Sequence, residues 1–391
     1  MSKIFLFLFF GFSSFSCWDK PLPEENNLVV WSIPLIPEYV NTIQPVIDNG
    51  YTYLIGDTTM QCFELTTGKL IWQRGLEKQL PLFQLNISGK KILHEGNYLY
   101  INDSHVIWCF NKTNGEVVWK TNIAIYGTIW IPYSMMSQNS THLFLGGKNK
   151  VIGIEKNTGT IDIELNINNR EPYIQAIYDP LVIDNLLYMP TGYYTGTMVK
   201  GDVLCYDLNT KKYLWTYSTP NYKLPDNIVS QYSDGSVLTS FVYDSILVIA
   251  YGNSISALNR FTGTMMWEYR DISDGFGFSM GIEVYNGKVY VGSNKANVYA
   301  LDIYTGKLYW KTQTQGSIIS LFTIENGRLY FNNTSFGQIN IFDINTGKII
   351  WREFPPEFKK DRNYLYLSDL AVGEGYMVCV GTKKIYCLKI P

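Results

Sequence analysis

One short motif recurs along this chain and leaves little freedom in how it folds: a tight-turn glycine followed four residues later by tryptophan. It stands as Gly68/Trp72, Gly115/Trp119, Gly263/Trp267, Gly306/Trp310 and Gly347/Trp351. Two altered copies keep the frame, Gly159 with Ile163 and Lys211 with Trp215. Positions 72, 119, 163, 215, 267, 310 and 351 are separated by 47, 44, 52, 52, 43 and 41 residues. Self-similarity at a period in the forties, with about four strands per unit, is the signature of a β-propeller. The copy at 297–312 shows the local logic. Apolar residues alternate into and out of the turn, Gly306 can take φ > 0 without a Cβ clash, and Asp302 can fold its carboxylate onto turn N–H groups.

The two ends complete the count. Residues 27–33 look like the outgoing strand of a hairpin without its incoming strand, and residues 384–390 look like an incoming strand with nothing after it. Joined, they make one blade and remove exposed sheet edges. The other blades are expected over about 44–74, 90–121, 128–166, 173–217, 236–270, 277–312 and 317–352, with the last over 364–390 plus 27–33. The expected fold is therefore an all-β, eight-bladed propeller of four-stranded antiparallel blades, closed by pairing of the N- and C-terminal strands. A second set of turns, including Asp48-Asn49-Gly50, Asp184-Asn185, Asp244-Ser245 and Tyr285-Asn286-Gly287, precedes the second strand of its blade. Both kinds of tight turn must lie on one face of the disc, and the long connections on the other.

A hydrophobic content of 46% with 30 Tyr and 32 Gly suits a strand-rich globular chain. The formal net charge of −2 leaves no electrostatic footprint for nucleic acid or an anionic membrane surface. Residues 1–16 differ in kind: Lys3, an apolar run from Ile4 to Phe12 and small residues before Cys17 read as a secretory signal too short to span a bilayer. Residues 17–27 then read as a polar tether, and 28–391 as the propeller.

The run Ala300-Leu301-Asp302 with Thr305-Gly306-Lys307-Leu308-Tyr309-Trp310 resembles the repeat of quinoprotein-type, or PQQ-like, propellers. That family includes pyrroloquinoline quinone dehydrogenases and the BamB lipoprotein of outer-membrane β-barrel assembly. The resemblance implies that Trp31, Trp72, Trp119, Trp215, Trp267, Trp310 and Trp351 dock between neighbouring blades, with a different seam at Ile163. The amino terminus resembles a bacterial lipoprotein signal, which implies cleavage before Cys17, its acylation, and an outer-membrane anchor. The dehydrogenase members imply an adjacent Cys-Cys pair against the quinone and a calcium-binding set of Glu, Asn and Asp. This sequence has no such pair and no set that matches residue by residue, so neither quinone, metal nor catalytic residue is expected.

The remaining chemistry is sparse. His94, His105 and His142 lack metal-ligand spacing. Cys62, Cys109, Cys205 and Cys387 share a repeat position that otherwise carries Ala, Gly or Ile and suit a buried small group; Cys379 and Cys387 lie on adjacent strands, where a disulfide is conceivable. Departures from the repeat mark candidate binding loops. These are 190–201 with Tyr193 and Tyr194, 220–235 with Tyr222, and 271–281 with Phe276 and Phe278. The expected role is a non-catalytic envelope scaffold for a protein partner, the alternatives being a polysaccharide-binding lipoprotein or a quinone enzyme.

Overall fold

The computed structural model describes residues 28–35, 43–55, 59–76, 91–102, 106–123, 135–167, 175–195, 199–220, 237–271, 278–318, 320–333 and 337–391. Middle strands of each sheet are covered on both faces, so almost every residue along them is buried. In the fifth blade Ile246–Tyr251 is buried throughout, as is Ser254–Asn259 up to its last residue. The outermost strand, Met265–Arg270, buries only Trp267 fully. Repeating this arrangement gives eight sheets around an axis, seven of four strands and one, the fourth, of six. The closing blade takes Ala371–Gly373, Tyr376–Val380 and Lys384–Lys389 from the end of the chain and Val29–Pro34 from its beginning. Trp31 pairs there with Cys387, and Ser32 with Tyr386.

There is no single central core. Eight buried clusters each lie between two neighbouring blades. One, for example, interleaves Val248 and Ala257 of the fifth blade with Val291 and Leu301 of the sixth. Stability is therefore distributed over seams, as in repeat proteins generally.

A row of three residues across each blade builds the seam. In the sixth blade Tyr290 of the second strand pairs with Ala300 of the third, and Ala300 pairs with Trp310 of the fourth. Tyr53–Cys62–Trp72, Tyr100–Cys109–Trp119 and Tyr188–Cys205–Trp215 repeat it. The middle member is small because tyrosine and indole meet over it, with centroids 6.0 Å apart in Tyr290–Trp310 and 6.1 Å in Tyr53–Trp72. A β-bulge follows each middle residue and turns the outer strand toward the next blade.

Each indole then leaves its own blade. The Nε1–H of Trp31 donates to the carbonyl of Leu65 at 2.8 Å, Trp72 to Lys112 at 2.8 Å, Trp119 to Lys156 at 2.7 Å, Trp215 to Arg260 at 3.1 Å, Trp267 to Ile303 at 2.8 Å and Trp310 to Ile344 at 3.0 Å. Every acceptor lies in the outer hairpin of the following blade. Trp351 packs against the buried cluster between the seventh and closing blades, as do Leu28, Val29 and Ile390 from the two chain ends.

The altered repeats meet at one seam. Ile163 of the third blade is half-buried against the cluster shared with the fourth, as is Leu208 of that fourth blade. In that fourth blade the turn position is Lys211, held at φ 56°. Where tryptophan is missing from one blade, the glycine that would receive it is missing from the next.

Cys379 and Cys387 are both free thiols. Cys387 pairs with Val378 and Cys379 with Tyr386, so the thiols emerge on opposite faces. Cys379 joins the cluster toward the seventh blade and Cys387 the one toward the first. The pleat thus removes the conceivable disulfide.

Candidate functional site

The expected binding residues do not converge. Cys17, Tyr222 and Phe276 lie outside the described residues. Phe278 opens the first strand of the sixth blade and pairs with Ser293. Tyr193 is 7% exposed and Tyr194 62%, because they point to opposite faces of an extended strand.

That strand, Leu186–Tyr194, has nine residues against six in Ile246–Tyr251 of the next blade, about 10 Å more length. Its far end is flanked by Gln175–Ile177 on one side and Val199–Lys200 on the other. The fourth blade therefore carries a rigid β-extension on the long-loop face, with Tyr194 presented at its tip. This is a candidate contact for a partner, since an exposed tyrosine combines large apolar area with a polar end.

A second polar group lies along the axis. The first-strand position that pairs with the second-strand member of that row carries Val46, Leu93, Ser137, Leu181, Phe241, Thr323 and Ala371 in seven blades. In the sixth blade it is Glu283. Its Oε1 accepts a 3.3 Å bond from the Val284 N–H. Burial pushes its pKa up to about 7, against the opposing effects of that hydrogen bond and the ammonium of Lys91. Lys91 belongs to the second blade, across the ring. Gln44, bridged to Lys91 along the backbone, donates from Nε2 to the Leu370 carbonyl at 2.6 Å. Glu283 was missed in the sequence reading, although a lone carboxylate at an otherwise uncharged repeat position was there to be seen.

A model of the family described as outer membrane protein assembly factor BamB matches residues 14–217 and 234–383. The chain belongs to the BamB family. Curated relatives align over shorter stretches. BamB of Yersinia pestis is 31% identical over 106 residues, 25% of this chain and 26% of that protein. A quinohemoprotein alcohol dehydrogenase of Comamonas testosteroni is 30% identical over 140 residues, 31% of this chain and 20% of that enzyme. The alignments thus span about a quarter or less of these relatives' length. Among solved structures, BamB from Moraxella catarrhalis superposes with a TM-score of 0.63 at 14% identity, covering 93% of this chain and 99% of that one. The Comamonas testosteroni dehydrogenase gives 0.63 at 11% identity, covering 92% and 76%. At these identities the superpositions speak for the fold alone.

The dehydrogenase relatives raise the question of a quinone held by a metal ion, and the described residues do not fit one. The Glu283 carboxylate feels the charge of the Lys91 ammonium, which competes with a divalent cation for it. Among the described residues no group of three or more His, Cys, Asp or Glu side chains could hold a metal ion. Cys62, Cys109, Cys205 and Cys387 are each pushed up to about 12 by burial, the opposite of an activated thiol. His142 is engaged by Asp162 at 3.0 Å on the outer edge of the third blade.

Proposed function

We propose that this protein is a non-catalytic scaffold of the bacterial cell envelope, anchored by lipid at Cys17, that holds a protein partner during outer-membrane assembly. The observation that carries the reading is the BamB family match, which runs over almost the whole propeller. The seams support it: repeated side chains are occupied in holding blades together, leaving the surface for recognition. Tyr194 on the β-extension of the fourth blade is the proposed partner contact on the long-loop face, with Tyr222, Phe276 and the strand residue Phe278 as further candidates.

Cross-linking in intact cells followed by purification from membranes tests the role. Recovery of an outer-membrane assembly protein, reduced by Tyr194→Ala, is the expected result; recovery of no envelope protein would overturn it. The anchor is tested separately. Cys17→Ser should abolish labelling by radioactive palmitate and release the protein from membranes, and unchanged labelling would remove the anchor from the proposal.

A second reading follows from the dehydrogenase relatives. Purified protein supplied with quinone and calcium should give no dye-linked alcohol oxidation; measurable turnover would favour that reading instead.

A further inference from the structure

At three seams of the tight-turn face, among the described residues, neighbouring hairpins share one electrostatic device. Asp48 of the first blade takes the ammonium of Lys112 from the second at 2.5 Å, Glu95 of the second takes Lys156 from the third at 2.5 Å, and Asp184 of the fourth takes Arg260 from the fifth at 3.1 Å. Each cation is the residue whose carbonyl accepts the preceding blade's indole. At the fourth seam the device also includes an aromatic ring. The Arg260 guanidinium lies 4.5 Å from the centroid of Phe261 while it pairs with Asp184.

The next seam has the same carboxylate and ring without the cation. Asp244 occupies the hairpin position of Asp184, with φ 50° against 56°, and Tyr304 occupies that of Phe261. Between them, the counterpart of Arg260 is the fully buried Ile303. Asp244 is exposed and forms no ion pair among the described residues. The aromatic content is specific to this region: the position of Tyr304 is Thr66, Thr113, Asn157, Asn209 or Asn345 elsewhere. Tyr304 is 55% exposed and Tyr285 41%, and Tyr304 packs edge-on against Tyr243 with centroids 6.5 Å apart. The carboxylates of Asp244 and Asp302 both act on the Tyr304 phenol, whose pKa is raised chiefly by desolvation. An exposed aromatic group with negative charge beside it attracts a cation through both ring face and carboxylate.

We propose that the tight-turn face between the fifth and sixth blades is a docking site for an arginine or lysine side chain of a partner protein, received by Tyr304, Tyr243 and Asp244. The external cation meets the same kinds of group that hold Arg260 one blade earlier. This surface lies on the opposite face from Tyr194 and does not depend on the outer-membrane assembly role.

The test uses the purified full chain and labelled peptides, acetyl-Gly-Arg-Gly-Arg-Gly-amide and its Lys and Glu counterparts, with fluorescence anisotropy as readout and chitotetraose as a neutral competitor. Saturable binding of the Arg or Lys peptide is expected, weakened by salt and reduced about fivefold or more by Tyr304→Asn and by Asp244→Asn, the cation–π and charge-pair range. Asn at position 304 matches three other blades, so an unchanged unfolding temperature should accompany that loss. Tyr194→Ala should leave binding intact. Equal binding of the Glu peptide, no saturable binding of either cationic peptide, variants that bind as the parent does, or Tyr304-dependent displacement by the sugar would each overturn the proposal.

Discussion

The indole of Trp310 lies so close over Gly347 that a Cβ added to that glycine would sit 2.5 Å from Cδ2. Gly347 has φ +69°, so backbone and contact surface both demand glycine. Gly327, at φ +74°, has nothing within 4 Å of such a Cβ. Alanine at 327 should therefore cost about 1–2 kcal/mol from the left-handed backbone alone. Alanine at 347 should cost about 1–3 kcal/mol more through overpacking. Denaturant midpoints of the two variants measure the difference, and equal losses would show that the indole contact contributes nothing.

The third seam can be rewritten. Introducing Ile163→Trp alone should destabilise the protein, because the new indole would meet a turn position carrying the Lys211 side chain. Combining it with Lys211→Gly should recover that loss, and the two substitutions should be non-additive by about 1–3 kcal/mol. A double-mutant cycle in unfolding free energy decides it. Strict additivity would mean that the two positions do not face each other.

Glu283 should make stability fall with rising pH. Its carboxyl is pushed from the ordinary 4.5 to about 7 in the folded ring, so between those values the folded state holds a proton that the unfolded chain has released. Stability is then lost from about pH 4.5 to pH 7, and the deficit is fully present above that. Glu283→Gln should match the parent near pH 4 and exceed it by on the order of 2–3 kcal/mol at pH 8. Parallel stability–pH curves for the two proteins would refute the assignment.

The five buried thiols should be silent to a thiol reagent in the native protein. For Cys62, Cys109, Cys205 and Cys387, burial holds the thiolate form off to about 12, and Cys379 is also raised well above its ordinary range by burial. Titration with a chromogenic disulfide at pH 8 should release their signal only on unfolding. Prompt reaction in the native state would mean that a seam opens.

The fold was legible because its determinants recur within one hairpin: Gly306 and Trp310 are four residues apart, and the same interval returns blade after blade. Closure was legible from the complementary half-hairpins at the two ends. Contacts between blades were not. Lys112 and Asp48 are 64 residues apart, and nothing in the sequence says that one hairpin's lysine faces the previous hairpin's carboxylate. For the same reason Ile163 and Lys211 read as two separate irregularities. The adjacent-strand thiols looked capable of bonding until the register Val378–Cys387 put them on opposite faces. Functional reading went to the longest loops. Tyr193 turned inward there, while Glu283 and Tyr304 changed residue type without any insertion to draw notice.

The outermost strand of the closing blade, Val29–Pro34, finds its partner only in Lys384–Lys389. Synthesis and export both deliver the first of these long before the second. Blades one to seven can assemble in order as they emerge, but the ring stays an open arc until nearly the whole chain is made. Over that interval a strand with an exposed edge and Trp31 waits unpaired, and such an edge is prone to pairing with the wrong chain. Cells that make this protein should therefore depend on a holding chaperone most strongly for the leading segment, and a rearranged gene that starts at the second blade would shift that dependence to a different strand.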